Sequence, residues 1–124
     1  MPESKKKILL VEDDKMISSM YQTKLEQEGY LVILAENGAA AIDLALAKKP
    51  DLILLDIILP QIDGFSVLKQ LRATESTKNI PIVILTNLGT EEDKAKGRKY
   101  GATDYLVKAS LTPSQISEKI KEYL

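Results

Sequence analysis

Polar side chains equipped for chemistry close four short apolar runs of this sequence. Glu12, Asp13 and Asp14 follow Ile8 to Val11, Asp56 follows Leu52 to Leu55, Thr86 and Asn87 follow Ile82 to Leu85, and Lys108 follows Tyr105 to Val107. If these runs lie side by side, the acids converge. Glu12, Asp13 and Asp56 would then repel one another and take up protons unless positive charge compensates. Lys108 supplies one charge and a divalent cation the rest. With oxygen ligands only, and neither His nor Cys in the chain, the preferred ion is hard: Mg2+, with Mn2+ or Ca2+ as alternatives. Asp13 and Asp56 would hold it directly, and Glu12 directly or through water. Cations that draw charge from transferring oxygens also let a carboxylate attack phosphorus, which makes Asp56 a candidate phosphoacceptor. Lys108 would pair with Asp56 and later with a phosphoryl oxygen, and the Thr86 hydroxyl would hydrogen-bond another.

Each residue also has a plainer reading. A lone acid at a strand end is commonly a helix cap, and Asp14 is assigned that role. Thr86 alone would be a turn residue and Lys108 alone a surface lysine. Asp56 is different, because it closes an apolar run where a charge does not belong. The joint placement of the set at four strand ends carries the chemical reading.

The elements must therefore bring these ends together. Ile8 to Val11, Leu31 to Leu34, Leu52 to Leu55, Ile82 to Leu85 and Tyr105 to Val107 are unbroken apolar runs, the pattern of strands covered on both faces. Helical spacing lies between them: Ile17, Met20, Tyr21 and Leu25 before Gly29; Ala40, Ala41, Leu44 and Ala45 after Asn37-Gly38; and Phe65, Leu68 and Leu71 after Asp63-Gly64. A fourth, mostly polar helix starts at Thr90 with Glu91, Glu92 and Asp93 in its first turn and ends at Gly101; Gly97 inside it costs about 1 kcal/mol relative to Ala. The last has Thr112 as N-cap, Pro113 at the first helical position and Gln115 closing a capping box, then Ile116, Ile120 and Tyr123. Five βα units in succession imply a parallel sheet with right-handed crossovers and helices on both faces. In strand order 2-1-3-4-5, ligands bind outside the carboxyl ends where the order reverses.

Composition excludes several classes. The 124 residues, 44% apolar and 28% charged, suit one soluble domain spanning 1–124. No stretch nears the roughly 20 apolar residues of a membrane span. The start, Met1, Pro2 and Glu3 followed by Lys5 to Lys7, lacks an apolar signal core, so a cytoplasmic location is expected. Lys5 to Lys7 reads as a solvated lead-in to the first strand. Lack of Cys and His removes disulfides, thiolate sites and imidazole acid-base chemistry. A net charge of −1 gives no general attraction to nucleic acid.

These residues together resemble the receiver domain of bacterial two-component response regulators, the family of the chemotaxis regulator and of sporulation phosphorelay proteins. The likeness covers essentially the whole chain. It rests on Ile8 through Asp14, on Asp56-Ile57-Ile58-Leu59-Pro60-Gln61-Ile62-Asp63-Gly64, on Ile84-Leu85-Thr86 and on Gly101 through Lys108. It implies a flavodoxin-like (βα)5 fold, five parallel strands in order 2-1-3-4-5. It also implies Asp56 as phosphoacceptor, Glu12 and Asp13 as the acidic pair, and the backbone carbonyl of Ile58 as a further metal ligand. Thr86 and Tyr105 look like the family's switch pair, with output through the surface of the fourth helix, fifth strand and fifth helix. The phosphoryl donor would be a sensor histidine kinase or phosphotransfer protein, since this chain has no histidine of its own.

Three departures from the family pattern matter. Ala109 stands where Pro usually follows the lysine, so a trans bond and a different loop path are expected. Asn87 replaces a smaller residue and is expected to narrow access to the site. Ile58 offers no group to position attacking water, so slow loss of the phosphoryl group is expected. Rival readings are a phosphatase of the haloacid dehalogenase type, against which Ile58 stands where a second acid is needed, and nucleotide binding, for which the glycines form no phosphate-binding motif. A third is an interaction module that works without phosphorylation. As the sequence ends at Leu124, no DNA-binding part is expected in it, and a response would travel by protein contact, as a monomer or a phosphorylation-dependent dimer.

Overall fold

The structure, a computed structural model, describes residues 5–124; Met1, Pro2 and Glu3, read above as lacking an apolar signal core, and Ser4 lie outside the described residues. Five strands alternate with five helices: β1 (Lys7–Val11), α1 (Lys15–Gln27), β2 (Leu31–Ala35), α2 (Gly38–Lys48), β3 (Leu52–Leu55), α3 (Gly64–Ala73), β4 (Ile82–Thr86), α4 (Glu91–Lys99), β5 (Asp104–Val107) and α5 (Pro113–Lys121). All pairings are parallel, in order β2-β1-β3-β4-β5. Alternate strand residues feed two cores. Leu9, Val11, Ile53, Leu55, Ile82 and Ile84 pack with Ala41 and Ala45 of α2 and Phe65, Leu68 and Leu71 of α3. On the other face Ile8, Leu10, Leu52, Leu54, Val83 and Leu85 meet Tyr21 and Leu25 of α1 and Ile116 and Ile120 of α5.

The helix starts follow the capping residues. Asp14, Asn37, Asp63, Thr90 and Thr112 each accept backbone N–H bonds from the first turn, and Gln115 completes the box with Thr112. Such caps are worth about 1 kcal/mol each. Gly29 follows α1 with φ +96, the left-handed conformation that favours glycine at that position.

Three expectations need correction. Met20 is 46% exposed, and Ser18 is buried instead. Ser18 and Met20 lie on opposite rims of the face marked by Ile17, Tyr21 and Leu25, and spacing alone could not choose between the rims. Leu31 and Leu34 are likewise exposed, because β2 is an edge strand with no neighbour beyond it. Lys7 belongs to β1: its backbone N–H donates to Asp51 Oδ2 and its Nζ to the Lys48 carbonyl, each at 2.7 Å.

Gly97 does not interrupt α4. It is the one buried residue of that helix, and a Cβ there would stand 2.9 Å from Tyr105 Cδ2 and 3.0 Å from Ile84 Cδ1. Only a bare Cα lets this polar helix sit so close to β4 and β5.

Candidate functional site

The register sets the site. Val11 pairs with Leu55 and Thr86 with Val107, so Glu12 and Asp56 leave adjacent strand ends, and Thr86 and Lys108 leave the next two. Backbone bonds hold both acids: Glu12 N–H donates to Ala35 O at 3.0 Å and Asp56 N–H to Val11 O at 3.2 Å. Asp56 follows a strand with no exposed residue, which explains a carboxylate at the bottom of an apolar run.

Carboxylate oxygens of Glu12, Asp13 and Asp56 all lie within 4.8 Å of one another, with Asp13 exposed and the other two buried. Lys108 Nζ spans the buried pair, donating to Asp56 Oδ2 at 2.7 Å and to Glu12 Oε1. The Ile58 N–H donates to Asp56 Oδ1 at 3.1 Å and the Asp14 N–H to Glu12 Oε2 at 3.1 Å. Burial pushes the Glu12 carboxyl above its usual range despite the opposing pull of Lys108. Burial alone would lower the Lys108 ammonium, but its bonds to Asp56 and Glu12 outweigh that and raise it, so it remains charged. One ammonium facing three carboxylates leaves a net negative, oxygen-only cluster, a donor set that suits a hard divalent cation.

Thr86 is fully buried at the end of β4, and its hydroxyl accepts the Leu88 N–H at 3.4 Å. The Tyr105 hydroxyl donates to the Leu88 carbonyl, so both residues singled out as a switch pair are tied to the loop between β4 and α4. Burial first, then Asp93 and Asp56, push the Tyr105 phenol up to about 12. Tyr123, which donates to Asp104 Oδ2 at 2.8 Å, is also pushed up to about 12, chiefly by that bond. A phenol whose folded value lies above its ordinary 10 contributes stability below pH 10 and loses it as pH rises toward 12. Alkaline titration followed by tyrosinate absorbance should therefore show ionisation near 12 that Tyr105→Phe reduces and denaturant abolishes. Ionisation of all five tyrosines around pH 10 in the folded protein would contradict this.

Sequence reasoning gave no part to two contacts. The Asn87 side-chain oxygen accepts the Ala109 N–H at 3.1 Å, joining two departures from the family pattern that looked independent. Gly64 N–H donates to Ile57 O at 2.9 Å, and a Cβ on Gly64 would fall on the Asp56 carbonyl oxygen and 2.6 Å from Ile57 Cα. No motif of residue types announces the first. The second was visible only as an Asp-Gly helix start.

Fold and site together define a doubly wound α/β domain with an acidic, lysine-bridged cluster at the strand-order reversal. Residues 8–121 match the response regulator receiver domain, and the chain belongs to that family. The Bacillus subtilis alkaline phosphatase synthesis transcriptional regulatory protein PhoP is 42% identical over 119 residues, covering 96% of this chain and 48% of PhoP. The Synechocystis DNA-binding dual master transcriptional regulator RpaA is 45% identical over 102 residues, 82% of this chain and 42% of RpaA. This chain thus spans about half the length of these curated relatives. Among solved structures, the Vibrio cholerae chemotaxis protein CheY4 superposes with a TM-score of 0.91 at 31% identity, covering 98% of this chain and 100% of that one. The BeF3-activated receiver domain of Klebsiella pneumoniae RstA gives 0.87 at 31% identity over 94% and 97%. The doubly wound five-stranded fold and the receiver class both stand as expected from the sequence.

Proposed function

We propose that Asp56 accepts a phosphoryl group, with Mg2+ held by Glu12, Asp13, Asp56 and the backbone carbonyl of Ile58, and Mn2+ as a substitute. The observation that carries the reading is Lys108 bridging two buried carboxylates beside a third, exposed one. Mg2+, when bound, would neutralise charge on the transferring oxygens. The chain's own groups would do the rest. Asp56 Oδ attacks phosphorus as the donor's bond to it breaks, releasing the donor's histidine nitrogen or, from acetyl phosphate, acetate; Lys108 exchanges an Asp56 oxygen for a phosphoryl oxygen, and the Thr86 hydroxyl donates to another. In this reading residues 1–124 form one receiver that assists its own phosphorylation and dephosphorylation but turns over no substrate.

The donor is a sensor histidine kinase or a phosphotransfer protein, consistent with family membership and with a chain lacking histidine. Output runs through α4, β5 and α5 by protein contact, from a monomer or a phosphorylation-dependent dimer. Among the described residues no helix is long and apolar enough to cross a membrane, which accords with the cytoplasmic setting we infer. PhoP and RpaA are named as transcriptional regulators, RpaA as a DNA-binding one, and are about twice as long; we assign neither role to this chain.

Acetyl phosphate with Mg2+ tests the reading. Intact mass should rise by one phosphoryl group, the gain should vanish with chelator or in Asp56→Asn, and the adduct should persist because Ile58 cannot orient water. Turnover of acetyl phosphate would favour a phosphatase, and no adduct would favour a phosphorylation-independent module.

A further inference from the structure

Lys108 opens a short 3-10 turn, Lys108–Ser110, entered from Val107. The first N–H groups of such a turn have no partner within it, and a Ser, Thr, Asp or Asn at the entry position normally supplies one. Val107 is apolar and provides no side-chain cap. The Ala109 N–H, second in the turn, instead donates to Asn87 Oδ1 at 3.1 Å. The cap comes from a neighbouring loop, one residue beyond Thr86. At the other end of the turn Leu111 N–H closes onto the Lys108 carbonyl at 3.3 Å.

We propose that Asn87 is a positioning residue for phosphoryl transfer, capping in trans the turn that carries Lys108 and locking that turn to the loop that carries Thr86. This inference rests on the function proposed above. Two groups read as holding phosphoryl oxygens, the Thr86 hydroxyl and Lys108 Nζ, come from different strands. The parallel pairing of β4 with β5 ends at Thr86 and Val107. Beyond it, the Asn87 to Ala109 hydrogen bond links the two segments immediately next to those groups. Lys108 must reach Glu12 and Asp56 at once, and a turn free to pivot would spread its ammonium over positions that serve neither.

The inference opposes the simpler expectation that Asn87 obstructs the site. If Asn87 only obstructs, Asn87→Ala should speed phosphorylation. If it positions Lys108, Asn87→Ala and the similarly sized Asn87→Leu should both slow the maximal rate with acetyl phosphate at saturating Mg2+ by about 3- to 10-fold. Half-saturation for Mg2+ should stay unchanged, since Asn87 lies outside the acidic cluster, and the unfolding midpoint should fall by no more than the loss of one exposed cap. Amide exchange at Ala109 should quicken in both variants, and Asn87→Asp, which retains an acceptor oxygen, should keep that amide protected. An Asn87→Ala rate at or above wild type, unchanged Ala109 exchange, or weakened Mg2+ binding in parallel with the rate would overturn the proposal. Failure of the wild-type protein to take up phosphate would instead count against the proposed function.

Discussion

Lys108→Met should slow phosphoryl uptake at Asp56 by about 10²- to 10³-fold at saturating Mg2+, the usual cost of deleting one group aimed at developing charge. Mg2+ should bind the variant at least as tightly as wild type, because an ammonium that competes for Glu12 and Asp56 has gone. The same substitution should reveal what the lysine does for the resting protein. Its side chain is 9% exposed, against 3% for Glu12 and 7% for Asp56, so the variant leaves two buried carboxylates facing each other. Removing one partner of a buried ion pair costs about 3 kcal/mol or more, which urea unfolding without divalent cation should register at neutral pH. Burial already holds the Glu12 carboxyl above its ordinary 4.5 with Lys108 pulling it down; without Lys108 it should rise further. A carboxyl raised in the folded state contributes stability below its ordinary value and loses it as pH climbs through the folded value. Lowering pH toward 4.5 should therefore shrink the gap between variant and wild type, as should added Mg2+. A variant that is phosphorylated at the wild-type rate, or that binds Mg2+ more weakly, would rule Lys108 out as the group that stabilises the transferring phosphoryl oxygens.

The legible part of this protein is the part whose local and global requirements coincide. Asp56 stood out because a buried central strand and a charge at its end conflict unless something compensates, and Lys108 was the available compensation. Asp14, Thr90 and Thr112 were legible as caps because the bond they make is local, within three residues of themselves. What stayed hidden depends on neighbours far along the chain. Leu34 looks as apolar as Leu10, its partner across β1 and β2, yet only the strand order decides that one is covered and the other lies at an edge. Gly97 reads as a flaw in a helix until Tyr105 and Ile84 are placed against it. Asn87 and Ala109, 22 residues apart, appear as separate oddities because a side-chain bond between loops has no periodicity to betray it.

Gly64→Ala should be the most damaging single methyl group near the site. The loop from Asp56 to Asp63 turns back so tightly that α3 begins against its own approach, with Gly64 N–H bonded to Ile57 O at 2.9 Å. A Cβ would overlap the Asp56 carbonyl oxygen and approach Ile57 Cα to 2.6 Å. Both are backbone atoms, so no rotamer change relieves the clash; either α3 withdraws or the peptide after Asp56 shifts. Withdrawal would unseat Phe65 and Leu68 from the core face they share with Leu55. Overpacking of this kind costs about 3 kcal/mol, an expected fall of some 10 °C in melting temperature. A shift of the peptide would move Asp56 away from Lys108 Nζ, now at 2.7 Å from its Oδ2, and would disturb the Ile58 N–H that fixes Oδ1. The two routes separate in measurement. If the helix yields, stability falls while the remaining folded molecules still bind Mg2+ and take up phosphate. If the peptide yields, phosphorylation falls beyond what the unfolded fraction accounts for. Because the clash falls on both Asp56 and Ile57, we expect both losses together. Wild-type stability in this variant would show that the turn is looser than the Gly64 to Ile57 hydrogen bond implies.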